Sequence, residues 1–227
     1  MPRHADPNAR EALVAAARAE FAKKGLRGAR IEDITSACGL SKGAFYLHFP
    51  SKEALFSELV EGLTSAMHGC ADSRRGALTD FLERHGPVSR KDVEQKTPHY
   101  RELLELEAAK DLQLLEHLWS YRDVVGVLLR GAQGTSFEGF IWTMTDTEVD
   151  RVQEDLALFQ GGACRSDIPG EIIGSLLVGT YLLLALRMSR MTEKPDLATW
   201  ARALHTLIRE GSAPVDDLPQ SKPRSLN

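Results

Sequence analysis

The chain has 227 residues, with 28 Lys plus Arg against 32 Asp plus Glu, giving a formal net charge of −4. Its 43% hydrophobic and 26% charged residues are the composition of a soluble globular protein with one large or two small domains, which excludes disorder throughout. The charge is uneven: residues 1–52 hold nine basic and five acidic side chains, a net +4 that leaves −8 for the rest, so one end is suited to face a polyanion. No positive start leads into an apolar core, so no secretory signal is expected. Cys38, Cys70 and Cys164 fit no ligand spacing, and a reducing cytoplasm is the expected location.

Taken in order, the periodic segments read as helices, and no stretch alternates as a strand with hairpin turns. Leu13, Ala17 and Phe21 recur every four residues and Gly25 follows two lysines, which predicts a first helix over about 9–24. A short second helix is predicted over 31–37, broken by Gly39, and a third from Ser41 to about His48. Pro50-Ser51 restarts the chain into a longer fourth helix. Its stripe of Leu55, Leu59 and Leu63 fades near Gly69, and a separate helix is predicted over about 76–85. Residues 86–98 read as a polar loop with room for a helical turn.

A leucine-rich helix follows from Tyr100 to Leu118, then another from Tyr121 to Leu129. Beyond Gly131, Gly134 and Gly139 a helix is predicted over about 147–160, stopping at Gly161-Gly162. Helices over 168–190 and 196–210 form an antiparallel hairpin about Lys194-Pro195-Asp196. The apolar run from Ile172 to Leu186 is 15 residues, short of a membrane span, and reads as a buried helix. Residues 213–227, with Pro214, Pro219 and Pro223, read as a flexible tail. The fold class expected is all-α.

The informative stretch runs from Ile31 to Lys52 (IEDITSACGLSKGAFYLHFPSK). It has the form of a helix-turn-helix: Ile34 and Cys38 pack beneath the second helix, Gly39 permits the turn, Leu40 plugs it, and Phe45 with Phe49 anchor the third helix. Ser41, Lys42, Gly43, Ala44, Tyr46, Leu47 and His48 remain around the opposite side, where a short helix with small side chains fits a major groove.

These residues, with Leu13–Phe21 and Gly25 before them, resemble the TetR/AcrR family of bacterial transcriptional regulators over about residues 9–55. The resemblance implies a homodimer in which residues 1–50 form a DNA-binding domain and residues 51–212 a helical effector-binding and dimerisation domain. Lys42, Gly43, Ala44 and Tyr46 match base-facing positions, and Tyr46, His48 and Lys52 match positions near phosphates. Two positions depart from the family. Ala29 stands where a Thr usually opens the second helix, which removes a hydroxyl cap worth about 1 kcal/mol, and Arg30 beside it offers a charge instead. Thr35 replaces a usual Ala, and its hydroxyl is expected to bond the carbonyl four residues earlier.

In the body, Ile172, Leu176, Gly179 and Leu183 with Trp200, Leu204, Leu207 and Ile208 are expected to build a symmetric four-helix contact between two copies. Tyr100, Leu104, His117, Trp119 and Tyr121, together with Phe137, Phe140, Trp142 and Tyr181, are candidates to line a pocket for a small apolar or aromatic effector. The long fourth helix is the expected link between effector and groove spacing. No phosphate loop, dinucleotide fingerprint, HExxH or Gly-x-Ser-x-Gly elbow occurs, so no catalytic residue, cofactor or metal is expected. The sequence therefore predicts a repressor released from palindromic double-stranded DNA by an effector. The competing reading is a helical small-molecule-binding dimer in which Ala29 and Arg30 have disabled operator recognition.

Overall fold

The computed structural model describes residues 7–158 and 168–211, and every regular element among them is an α-helix. The first four are α1 (Pro7–Gly28), α2 (Ile31–Ala37), α3 (Lys42–Tyr46) and α4 (Lys52–His85). The body adds α5 (Arg90–Gln95), α6 (Pro98–Ser120), α7 (Arg122–Arg130), α8 (Phe140–Leu158), α9 (Gly170–Met188) and α10 (Leu197–Gly211). The all-α fold class is as expected from sequence, and α2 has the expected bounds.

Local chemistry sets most of the ends. The hydroxyls of Ser41 and Ser51 accept from the N–H groups of Ala44 (3.2 Å) and Ala54 (3.0 Å), capping α3 and α4. Ser89 and Asp92 form a reciprocal capping box on α5, in the segment expected to be loop. Asp92 is held down to about 2 by the Ser89 hydroxyl, the Ser89 N–H and Thr97. Pro98 opens α6 and Asp196 caps α10 through Thr199.

Two expectations for helix bounds are corrected. The fourth helix does not end near Gly69: α4 runs unbroken through Gly69 and Gly76 to His85. Its buried stripe continues as Leu63, Cys70 and Phe81, and the charge that hides it in the sequence, Arg74, is paired with Asp111 of α6. α8 starts at Phe140 rather than near 147. Gly139 turns there at φ 80°, Ile141 is buried, and the hydroxyls of Thr145 and Thr147 bond back to the carbonyls of Ile141 and Thr143. Gly161-Gly162, Cys164 and the tail 213–227 lie outside the described residues.

One continuous apolar core joins α1–α4 to α6, α7, α9 and α10 through Phe21, Phe45, Phe56, Leu115, Val124, Val127 and Met188, with Ile141 of α8 among its buried members. A smaller cluster of Phe81, Val88, Tyr100 and Leu103 closes the far end of α4. Where α1 meets α7, the chain comes within backbone distance of itself. Gly25 breaks α1 at φ 71°, the Leu26 N–H donates to the Gly131 carbonyl at 2.9 Å, and a Cβ on Gly131 would stand 2.9 Å from Gly25 Cα. Arg18 reinforces this joint by donating from Nε to Asp123 at 2.7 Å.

α9 departs from the expected buried helix. At 19 residues it is long and apolar enough to cross a membrane by length and composition, although the run within it looked too short, and Gly174, Ala185 and Met188 are its buried residues. The neighbours α8, α7 and α6 cover one side, which leaves another apolar side facing outward.

Candidate nucleic-acid interface

α3 is a single short helix held by its aromatic underside. Phe45 and Phe49 are buried, their ring centroids 5.7 Å apart, and the Arg10 guanidinium lies over the Phe49 ring at 5.0 Å. Gly39 turns at φ 68° with no atom within 4 Å of an added Cβ, so the turn needs glycine for its backbone and not for space. Leu40 is half-buried against the core and Cys38 sits beneath α2, its thiol directed to the Ile34 carbonyl.

The opposite side faces out as expected. Ser41, Lys42, Gly43, Tyr46 and Leu47 are exposed, Tyr46 by 50% and Leu47 by 54%, while Ala44 and His48 are half-buried at its margin. Arg30 is exposed at the N-cap of α2 and makes no side-chain cap. Ala29 is buried, so its methyl packs inward. Thr35 is also buried, and its hydroxyl donates to the Glu32 carbonyl three residues earlier (3.2 Å), not to the one four residues earlier.

Lys52 is engaged differently from the sequence reading. Its ammonium donates to the carbonyls of Ala29 (2.7 Å) and Arg27 (3.1 Å), so it clamps the loop between α1 and α2 with 18% of its side chain exposed. Lys42 donates to Glu32 of α2 at 2.5 Å. That bond raises Lys42 and lowers Glu32 from their ordinary values.

The effector candidates do not converge. Tyr100 is buried in the small far-end cluster with Leu104 against it, whereas Trp119, Tyr121, Phe137 and Phe140 pack against the main core. Phe137 meets Phe56 edge-on at 4.9 Å, His117 is half-buried, and Trp142 is 59% exposed. A cleft of about 360 Å³ opens between the ends of α1 and α7, lined by Lys23, Arg27 and Arg130 among others and by none of these nine. Among the described residues no group of three or more His, Cys, Asp or Glu is arranged to hold a metal ion.

Tyr181 belongs to a site the sequence reading missed. Its hydroxyl donates to Asp111 at 2.6 Å. Arg74 pairs with the same carboxylate, and His205 of α10 lies 2.6 Å from Glu107 and 3.6 Å from Asp111. Glu107, Asp111 and His205 are all buried. Burial works against a charged His205, but the Asp111 and Glu107 carboxylates beside it outweigh that and raise it. Burial and the adjacent carboxylate raise the Tyr181 phenol. A signal was present: the buried stripe of α6, Tyr100-Leu103-Glu107-Asp111-Leu115, has helical spacing and passes through two acids.

Of the interface candidates, Ile172, Leu176, Leu183 and Leu207 are exposed large apolar side chains, and Gly179 has nothing within 4 Å of an added Cβ. Residues 172, 176, 179 and 183 share one face of α9. Trp200 and Leu204 are half-buried against the chain's own core, and the Ile208 side chain lies outside the described residues.

The family model described as bacterial regulatory proteins, tetR family, matches residues 13–59. Among curated relatives, the HTH-type transcriptional regulator YdgC of Bacillus subtilis is 35% identical over 87 residues, 38% of this chain and 40% of that protein. The HTH-type transcriptional repressor KstR2 of Rhodococcus jostii is 39% identical over 49 residues, 22% of this chain and 24% of that one. The chain thus matches less than half the length of either. Solved structures align over nearly the whole chain. The MbdR regulator of Azoarcus sp. CIB has a TM-score of 0.61 at 19% identity over 89% of this chain and 98% of its own. A TetR-like regulator of Rhodococcus sp. RHA1 has a TM-score of 0.59 at 17% identity over 93% and 97%. Residues 13–59 thus carry the signature of the tetR family of bacterial regulatory proteins, and the overall fold is similar to that of solved TetR-like regulators.

Proposed function

We propose that this chain is a cytoplasmic DNA-binding transcriptional regulator that represses as a homodimer. In this reading residues 1–50 read one half of a palindromic operator, and residues 51–212 pair the two copies and answer a small apolar or aromatic effector. The observation that carries it is the outward face of α3, with Lys42, Gly43 and Tyr46 exposed above the buried Phe45/Phe49 anchor. A short helix held from below by two aromatic rings and free above can enter a major groove and offer donors to base edges. The apolar face of Ile172, Leu176, Gly179 and Leu183 supports pairing, because an exposed apolar stripe of this length is stable in water only when covered.

Selection of bound fragments from a random DNA pool tests the reading. Enrichment of a two-fold symmetric site, with half-sites about one helical turn apart, is the expected result. A purified, folded dimer that enriches no sequence at low salt would leave the small-molecule-binding reading in its place.

A further inference from the structure

Several basic side chains of the amino-terminal region are engaged within the protein. Arg10 pairs with Glu58, Arg18 with Asp123, and Lys24 with Glu20 and Asp33, while Lys52 is taken up by backbone carbonyls. Lys42 differs from these because it lies on the outward face of α3. Its partner Glu32 lies in the first turn of α2, and the two side chains are 53% and 58% exposed. A carboxylate thus stands beside the surface that this reading offers to a polyanion.

We propose that Glu32 is a specificity-determining residue, which keeps the Lys42 ammonium for uncharged base acceptors and away from phosphates. The inference rests on the DNA-binding function proposed above. An ammonium has three donors, and the Glu32 bond uses one. The remaining two can reach guanine O6 and N7, which carry no formal charge, without breaking the pair. A phosphate contact gains little from a cation already neutralised, and it brings Glu32 toward the negative backbone. The pair therefore weakens binding to arbitrary DNA more than binding to a site with guanine at the right step. An acid in the first turn of α2 also favours that helix, but Asp33 supplies the same charge.

The experiment compares wild type, Glu32→Gln, Glu32→Asp, Lys42→Ala and the Glu32→Gln/Lys42→Ala double variant by fluorescence anisotropy. The probes are a duplex selected by the wild type from a random pool and a shuffled duplex of equal composition, each at several salt concentrations. Glu32→Gln should tighten the shuffled duplex about tenfold, steepen its salt dependence by about one unit of slope, and tighten the selected duplex about threefold at most. Glu32→Asp should restore the wild-type ratio in part, and Lys42→Ala should abolish the effect of Glu32→Gln. Circular dichroism and melting should change little, since both side chains are exposed. Equal tightening of both duplexes, an unchanged ratio and slope, or an undiminished effect in the Lys42→Ala background overturns the proposal while leaving DNA binding intact. A wild type that enriches no sequence overturns the functional reading, and this inference with it.

Discussion

Replacing His205 with Gln probes the buried charge network of the body. The network sets two carboxylates, Glu107 and Asp111, against the Arg74 guanidinium and the His205 imidazole. With His205 protonated the four groups balance. Without its proton, or without the ring, the two carboxylates lose one of the cations that face them among buried atoms. Removing one partner of a buried pair costs about 3 kcal/mol or slightly more. For a chain of this size that lowers Tm by roughly 6–12 °C. His205 is raised in the folded protein above its ordinary 6.5, so its contribution is fully present below that value and is lost as pH climbs through the folded one. Asp111 runs the other way. Burial alone would raise it, but the adjacent His205, the Arg74 charge and the Tyr181 hydroxyl hold it below its ordinary value, so its contribution is present above 3.8 and lost as acid protonates it. The network is therefore strongest in mildly acidic to neutral solution. Melting curves of wild type and His205→Gln at fixed protein concentration, from pH 5.5 to 9, should differ most at the acidic end and converge toward the alkaline end. A constant difference across that range, or a His205 ring signal titrating at or below 6.5, would refute the reasoning.

Three further outcomes follow from the geometry. Gly131→Ala should destabilise the protein by about 1–3 kcal/mol in chemical denaturation, because its Cβ meets Gly25 Cα at 2.9 Å and backbone cannot yield as a flexible side chain does; an unchanged midpoint would show the joint to be loose. Leu176→Glu with Leu183→Glu should convert a dimer into a monomer in sedimentation at micromolar concentration while helicity is kept, since both side chains face outward, and a persisting dimer would move the interface elsewhere. Lys52→Met should cost about 1–2 kcal/mol of stability by leaving the Ala29 and Arg27 carbonyls without their donor, with no change in the salt slope of DNA binding. A slope shallower by about one would instead make Lys52 a phosphate contact.

What the sequence made legible was whatever local pattern decides. The bounds of α2, the Ser41 cap, the Gly39 turn and the Phe45/Phe49 anchor depend on residues within a few positions of one another, and each is as expected. What stayed hidden depends on partners far along the chain. Arg74 interrupted the apolar stripe of the fourth helix and made one helix look like two, because its carboxylate lies 37 residues away. Nothing local singles out Asp111 and Glu107 among the many acids, because the group that stands against them, His205, comes from the last helix. The same limit applied to Lys52, whose partners are backbone carbonyls and so have no side-chain signature. Aromatic residues named as pocket walls from composition alone proved to be distributed between two clusters and the surface.

The crossing of Gly25 and Gly131 bears on how strain travels through the molecule. Most helix contacts are cushioned: a neighbour that shifts by a fraction of an ångström is met by a rotamer change, and the disturbance dies out within one residue. At this crossing there is no side chain on either partner and a peptide hydrogen bond joins them. A slide of α7 along its axis is therefore passed to Leu26 and toward the short α2 beyond it with little cushioning, which makes this seam a stiff mechanical connection between the body and the residues that precede the turn.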